Sequence, residues 1–238
     1  MFKIAISQYL GRHGFEALRP KAVLFDMDGV LYNSMPNHAI AWQQSMAQFG
    51  IKMTADDAYA TEGARGVDTI KNMVLKQQGR EIDEAEAQRM YDVKTQIFHS
   101  LREAPVMPGM LELMQKITAD GLLCCVVTGS GQRPLIHRIL SDFGAYVTED
   151  HITTAYDVRR GKPAPDPYLM GLSKAGNIKP WEAIVVENAP LGVRAGAAAK
   201  IFTIAVNTGP LPGQTLLDAG ADLLFPSVVA LSDNWRLF

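Results

Sequence analysis

The chain has 238 residues, 47% of them hydrophobic, enough to bury a sizeable core in one large domain or two modest ones. Its 23 basic and 25 acidic side chains leave a net charge of −2, which excludes the basic field that draws nucleic acid or an anionic membrane surface. No run of about 18 apolar residues is present to span a membrane, and the start, MFKIAISQYLGRHG, lacks the features of a signal peptide, so a cytoplasmic protein is expected; a monomer is expected as well.

Residues 3–13 read as a short amphipathic helix, and residues 1–20 as a helical extension ahead of the main fold. KAVLFD then predicts a first strand over 21–26. Past Ser34, Met35 and Pro36 the texture is helical alone. Trp42, Met46 and Phe49 recur at i, i+4 and i+7 up to a stop at Gly50. Val67, Ile70 and Val74 make a second stripe; Met90, Val93, Ile97 and Leu101 make a third. Such stripes predict the core of a bundle rather than cofactor contacts. The two prolines of EAPVMPG, 103–109, mark the way back to the main fold.

From Gly109 onward helix and strand alternate. Met110, Leu113, Met114 and Ile117 form a helical stripe, LLCCVVTG (122–129) a buried strand, and Leu135, Ile136 and Ile139 another helix. HITTA (151–155) reads as a short strand, 166–175 as a helix, AIVVEN (183–188) as a strand and 190–199 as a helix. IFTIAV (201–206) and DLLF (222–225) are the last two strands. Apolar strands alternating with helices predict an α/β fold with a parallel sheet covered on both faces. The core is expected over 21–34 and 106–238, interrupted after its first strand by a helical insert over 35–105. Cys124 and Cys125 are neighbours on a strand and point to opposite faces, so they read as buried thiols in a reducing compartment.

The strand ends carry the chemistry. VLFDMDGVLYNS (23–34) ends an apolar run in two carboxylates, Asp26 and Asp28, followed at once by Gly29. Asp-x-Asp-Gly also suits a plain turn, and a calcium loop would need a third ligand and a closing glutamate that are missing. At the carboxyl end of a buried parallel strand, however, the pair stands where open α/β sheets bind ligands. Thr128, Gly129 and Ser130 follow a second buried strand, Lys162 lies in the proline-rich loop GKPAPDPY, and Glu187 with Asn188 follows a third. Singly, these are a helix cap, a solvated lysine and a turn. Together they make a set that chance seldom assembles.

DMDGV, VVTGS, GKPAPDPY and VVENAPLGVRAG, in that order over residues 21–225, resemble the motifs of the haloacid dehalogenase superfamily of phosphotransferases. The helical insert resembles the cap of its β-phosphoglucomutase-like branch. Within that branch, DMDGVL, TEG, VTGSGQ and IFTIAVNTGPL look like a bacterial inorganic pyrophosphatase. The resemblance implies a Rossmann-like core with an inserted cap, and an Mg²⁺-dependent phosphohydrolase working through an aspartyl-phosphate. Asp26 is then the nucleophile and Asp28 the general acid and base. Thr128, Gly129 and Ser130 bind phosphate oxygens, and Lys162 bridges phosphate and nucleophile. Mg²⁺ is held by Asp26, the main-chain carbonyl of Asp28, Glu187 and Asn188.

Two positions depart from the family pattern: Asn188 and Asn33 each stand where many relatives have aspartate. Asn188 leaves the metal site one negative charge poorer, which suits a substrate more anionic than a monoester. The insert loop ATEGARGVDT (60–69) is where this branch reads its leaving group. Glu62 is expected to complete the site and Arg65 to contact phosphate, with pyrophosphate as substrate; the alternative is a sugar-phosphate phosphatase or β-phosphoglucomutase. A dehalogenase attacking carbon needs no second aspartate, and a phospho-ligand sensor needs no intact Asp26, Asp28, Thr128 and Lys162. The insert is expected to move as a lid on hinges near 34–36 and 104–108.

Overall fold

The computed structural model describes residues 2–130 and 133–235. Helix α1 (Phe2–His13) leads into strand β1 (Ala22–Phe25). The insert then supplies α2 (Met35–Gln48), α3 (Ala55–Ala60), α4 (Gly66–Gln78) and α5 (Glu84–Ser100). After the return come α6 (Met110–Ala119), β2 (Leu123–Val127), α7 (Arg133–Phe143), β3 (Ile152–Thr153), α8 (Asp166–Lys174) and β4 (Ala183–Glu187). The chain closes with α9 (Pro190–Ala198), β5 (Phe202–Val206), α10 (Gly213–Asp218), β6 (Leu223–Phe225) and α11 (Val228–Asn234).

The six strands form one parallel sheet in the order β3-β2-β1-β4-β5-β6. Phe25 of β1 stands in register with Val126 of β2 and with Val186 of β4. The winding therefore reverses on either side of β1, and the crevice of an open sheet falls at the carboxyl ends of these three strands. Both faces are packed. Val23, Phe25, Cys124, Val126 and Ile184 bury on one side; Leu24, Cys125, Val127 and Val185 bury on the other. The two cysteines are split between the faces as expected, free, and pushed up to about 12 by burial. Extension helix α1 docks through Tyr9, which lies edge-on to Phe202 and donates to the Lys200 carbonyl at 2.8 Å, and through Arg12, paired with Asp222 at 3.0 Å.

The insert has its own core of Trp42, Met46, Ile51, Ile70, Val74 and Met90. The chain leaves and re-enters the sheet domain at one place. Tyr32 pairs antiparallel with Val106, Asn33 N donates to Pro105 O at 2.9 Å, and Met107 N donates to Leu31 O at 2.8 Å. Arg138 of α7 braces both crossings: its guanidinium stacks 4.1 Å over the Tyr32 ring, pairs with Glu103 at 3.1 Å and donates to the Ala104 carbonyl.

Candidate active site

The carboxyl end of β1 supplies Asp26, which is 5% exposed, and the turn that follows supplies Asp28. Gly29 makes that turn at φ +85, and a Cβ there would stand 2.0 Å from the Asn188 amide nitrogen, so only glycine lets the two loops close. Lys162, 3% exposed, reaches in from its loop and spends all three ammonium protons. It donates to Asp26 Oδ1 at 2.5 Å, Glu187 Oε1 at 2.6 Å and Val127 O at 3.2 Å. Burial alone would lower the lysine, but Asp26 and Glu187 outweigh it and hold the ammonium charged. Burial pushes Asp26 up, Lys162 draws it down, and the nearby Glu187 and Asp28 add to the rise, leaving it at about 7.

Asp28 has a different set of neighbours. Ser34 Oγ donates to its Oδ1 at 2.6 Å, and His38 Nε2 lies 3.1 Å from the same oxygen. Burial opposes its charge, yet His38 and Ser34 hold it down at about 2. Behind His38, Lys94 Nζ stands 2.8 Å from Nδ1. A charged ammonium has only donors, so Nδ1 accepts and the imidazole proton sits on Nε2, on the side of Asp28. Lys94 is itself 4% exposed and boxed by Trp42, Tyr91 and Phe98, whose ring centres lie 5.2, 5.7 and 5.0 Å from Nζ. Burial lowers it to about 8 against the pull of Glu62 and Asp28. Sequence reasoning missed Ser34, His38 and Lys94; a lone histidine and lysine 56 residues apart on bundle helices carry no local signal of meeting.

Thr128 closes β2 and is 4% exposed; its Oγ1 accepts from Ser130 N at 3.0 Å. Gly129 and Ser130 line the same chamber as Asp26, Asp28, Glu62 and Lys94. Gly131 and Gln132 of that motif lie outside the described residues. Glu62 hangs over the carboxylate pair from the insert loop. Burial, then Asp28 and Asp26, push its carboxyl up to about 8, so it carries a proton at neutral pH.

Two of the expected site residues have partners that the sequence did not suggest. Glu187 is fully buried and its carboxylate is already spent: Oε1 accepts from Lys162 and from Tyr168 OH at 2.7 Å, and Oε2 accepts from the amides of Asn188 at 3.0 Å and Ala189 at 3.2 Å. In this structure it is the counter-ion of Lys162, and Tyr168 is a further residue that sequence reasoning missed. Arg65 is turned outward, its guanidinium 3.0 Å from Glu84 and 3.9 Å from Asp68, with its stem against Gly161. It ties the insert to the Lys162 loop.

The remaining groups fit a hard cation. Asn188 Oδ1 is buried without a hydrogen-bond partner, a cost a metal bond would relieve. Asp26 and Asp28 stand at the same strand ends, and oxygen donors of this kind suit Mg²⁺. Among the described residues no three acidic, histidine or cysteine side chains converge into a metal cluster; the oxygen donors that could hold a cation here are those expected from the sequence, Asp26, the Asp28 carbonyl, Glu187 and Asn188.

Sheet, strand-end carboxylates and buried lysine together define an enzyme. The pattern of the haloacid dehalogenase-like hydrolases matches residues 23–206, and the chain belongs to that family. It is 30% identical to hexitol phosphatase A of Escherichia coli K12, over 80% of this chain and 84% of that one. It is 31% identical to validoxylamine A 7′-phosphate phosphatase of Streptomyces hygroscopicus subsp. limoneus, over 79% of this chain and 86% of that one. A solved structure from Bacteroides vulgatus, named provisionally as a β-phosphoglucomutase, superposes with a TM-score of 0.94 at 49% identity, covering 98% of this chain and 95% of that one. No helix among the described residues is long and apolar enough to cross a membrane.

Proposed function

We propose that the protein is an Mg²⁺-dependent phosphatase of small phosphorylated carbohydrates, acting through a phosphoaspartate on Asp26, with residues 35–105 as its cap. One observation carries the reading: two strand-end carboxylates stand together in wholly different surroundings, Asp26 gripped by Lys162 at 2.5 Å and Asp28 by Ser34 at 2.6 Å. Two carboxyls in separate surroundings can take separate roles, one as nucleophile and one as acid and base. Asp26 attacks phosphorus with the oxygen not bound to Lys162, while Lys162 and Thr128 steady the phosphoryl charge. Asp28 gives a proton to the leaving oxygen. It then takes one from the water that cleaves the phosphoaspartate. Without ligand it is held as the anion; a phosphoryl group alongside raises it toward the protonated form. Mg²⁺, when bound, adds positive charge that stabilises Asp26 as carboxylate and shields it from the phosphate. Protonated Glu62 donates a hydrogen bond to substrate instead of repelling it.

The carbohydrate reading draws support from the two phosphatases named above. The pyrophosphatase expected from sequence has no such support and becomes the second reading, favoured by one observation: Asn188 brings an amide where a carboxylate would add charge. Phosphate release from hexitol phosphate, hexose phosphates and pyrophosphate, with and without EDTA, separates the two. Asp26→Asn, nearly isosteric, abolishes turnover with the fold intact, and EDTA silences the wild type. Full turnover in that variant sinks the phosphoaspartate. Preference for pyrophosphate promotes the second reading.

A further inference from the structure

Tyr156 is 84% exposed, more than any other large apolar side chain among the described residues, yet its backbone is firmly held. It lies in the 3-10 turn 155–157. Asp157 Oδ2 accepts from Thr154 N at 2.7 Å and from Thr154 Oγ1 at 2.8 Å, and Lys174 Nζ donates to Asp157 Oδ1 at 2.8 Å. Ala155 N donates to Ser130 O at 3.2 Å, tying the turn to the phosphate loop. A rigid turn that keeps an aromatic ring in water offers a ready surface to a ligand.

The ring lines a cleft of ≈ 400 Å³ that shares Tyr91, Thr95, Gly129 and Ser130 with the ≈ 60 Å³ chamber over Asp26. The cleft adjoins the chamber, so a ligand with its phosphoryl group in the chamber can extend the rest of its length into it. Across from Tyr156, α5 contributes Gln88, Asp92 and Thr95. Their spacing of i, i+4 and i+7 sets them on one helix face, and Gln88 Nε2 donates to Asp92 Oδ1 at 2.8 Å. Among the described lining residues the charged groups are Asp92 and Arg65, and Arg65 is spent on Glu84 and Asp68. Such a lining is rich in groups that bond hydroxyls.

We infer that this cleft holds the leaving group, with Tyr156 stacked on the C–H face of a carbohydrate monophosphate and Gln88, Asp92 and Thr95 bonded to its hydroxyls. The inference rests on the phosphatase reading and adds its selectivity: a polyhydroxylated leaving group held by one aromatic face and three polar side chains.

The test compares hexitol phosphate with acetyl phosphate, whose leaving group is too short to reach Tyr156. The ratio of kcat/KM for the two falls about tenfold in Tyr156→Ala, through KM. Tyr156→Phe restores it because the ring alone stacks, and Asp92→Ala lowers it as well. A ratio unchanged in both alanine variants overturns the subsite while leaving the phosphatase reading in place. A wild type that turns over neither donor overturns the phosphatase reading itself.

Discussion

Glu187 and Lys162 sit at opposite ends of what a sequence can tell. The Lys162 position was legible because GKPAPDPY sets it among the other strand-end motifs, and the fold brings its ammonium to Asp26. Glu187 was legible as an acid at a strand end, but not that its oxygens would be consumed by Lys162, Tyr168 and two amides. Lone-pair satisfaction is settled by groups far off in sequence, so it leaves no local trace. Glu62 carries a consequence for pH. Its carboxyl sits at about 8 in the folded protein, against about 4.3 for a free glutamate. Between those values the folded state binds more protons than the unfolded one, so stability falls as pH rises through that window. Glu62→Gln has no proton to lose. In metal-free protein, Tm of the wild type drops from pH 5 to pH 8 by more than Tm of Glu62→Gln; parallel pH slopes would contradict the protonated carboxyl.

Among elements, the long periodic helices and the strands were readable and the short helices were not. The stripes through Trp42, Ile70 and Met90 became α2, α4 and α5, and the apolar runs became the strands, because period 3.6 and period 2 report burial directly. Helices α3 and α10 have six residues and α11 seven, too few turns for a stripe. The signal for α3 lay instead in its cap, where Thr54 and Asp57 bond each other's backbone amides. Met46 is fully buried in the insert's separate core. Met46→Ala costs about 2–5 kcal/mol, read as a lower denaturant midpoint for the helical insert; a midpoint equal to wild type would show that this core does not hold α2.

For the molecule as a whole, the insert rests on the sheet domain at glycines. A Cβ on Gly63, at φ +83, would stand 3.2 Å from Lys162 Cδ; one on Gly129 would stand 3.4 Å from Gly63 O; one on Gly161 would stand 3.2 Å from Arg65 Cγ. Contact this close carries Glu62 over the carboxylates. Gly63→Val holds the loop off the sheet and strains its backbone, and a displacement of about 1 Å costs about a hundredfold in kcat. Solution scattering on that variant gives a larger radius of gyration. Wild-type kcat and radius together would refute the seam.

The two crossings that join insert to sheet are hydrogen-bonded to each other, Asn33 N to Pro105 O and Met107 N to Leu31 O. A strand entering and a strand leaving side by side are already spaced for a hairpin, so the length of chain between them is a matter of indifference to the sheet. The helices can therefore be lengthened or shortened between the two crossings without moving Asp26, while His38 of α2 and Lys94 of α5 still tie the charge of Asp28 to the insert.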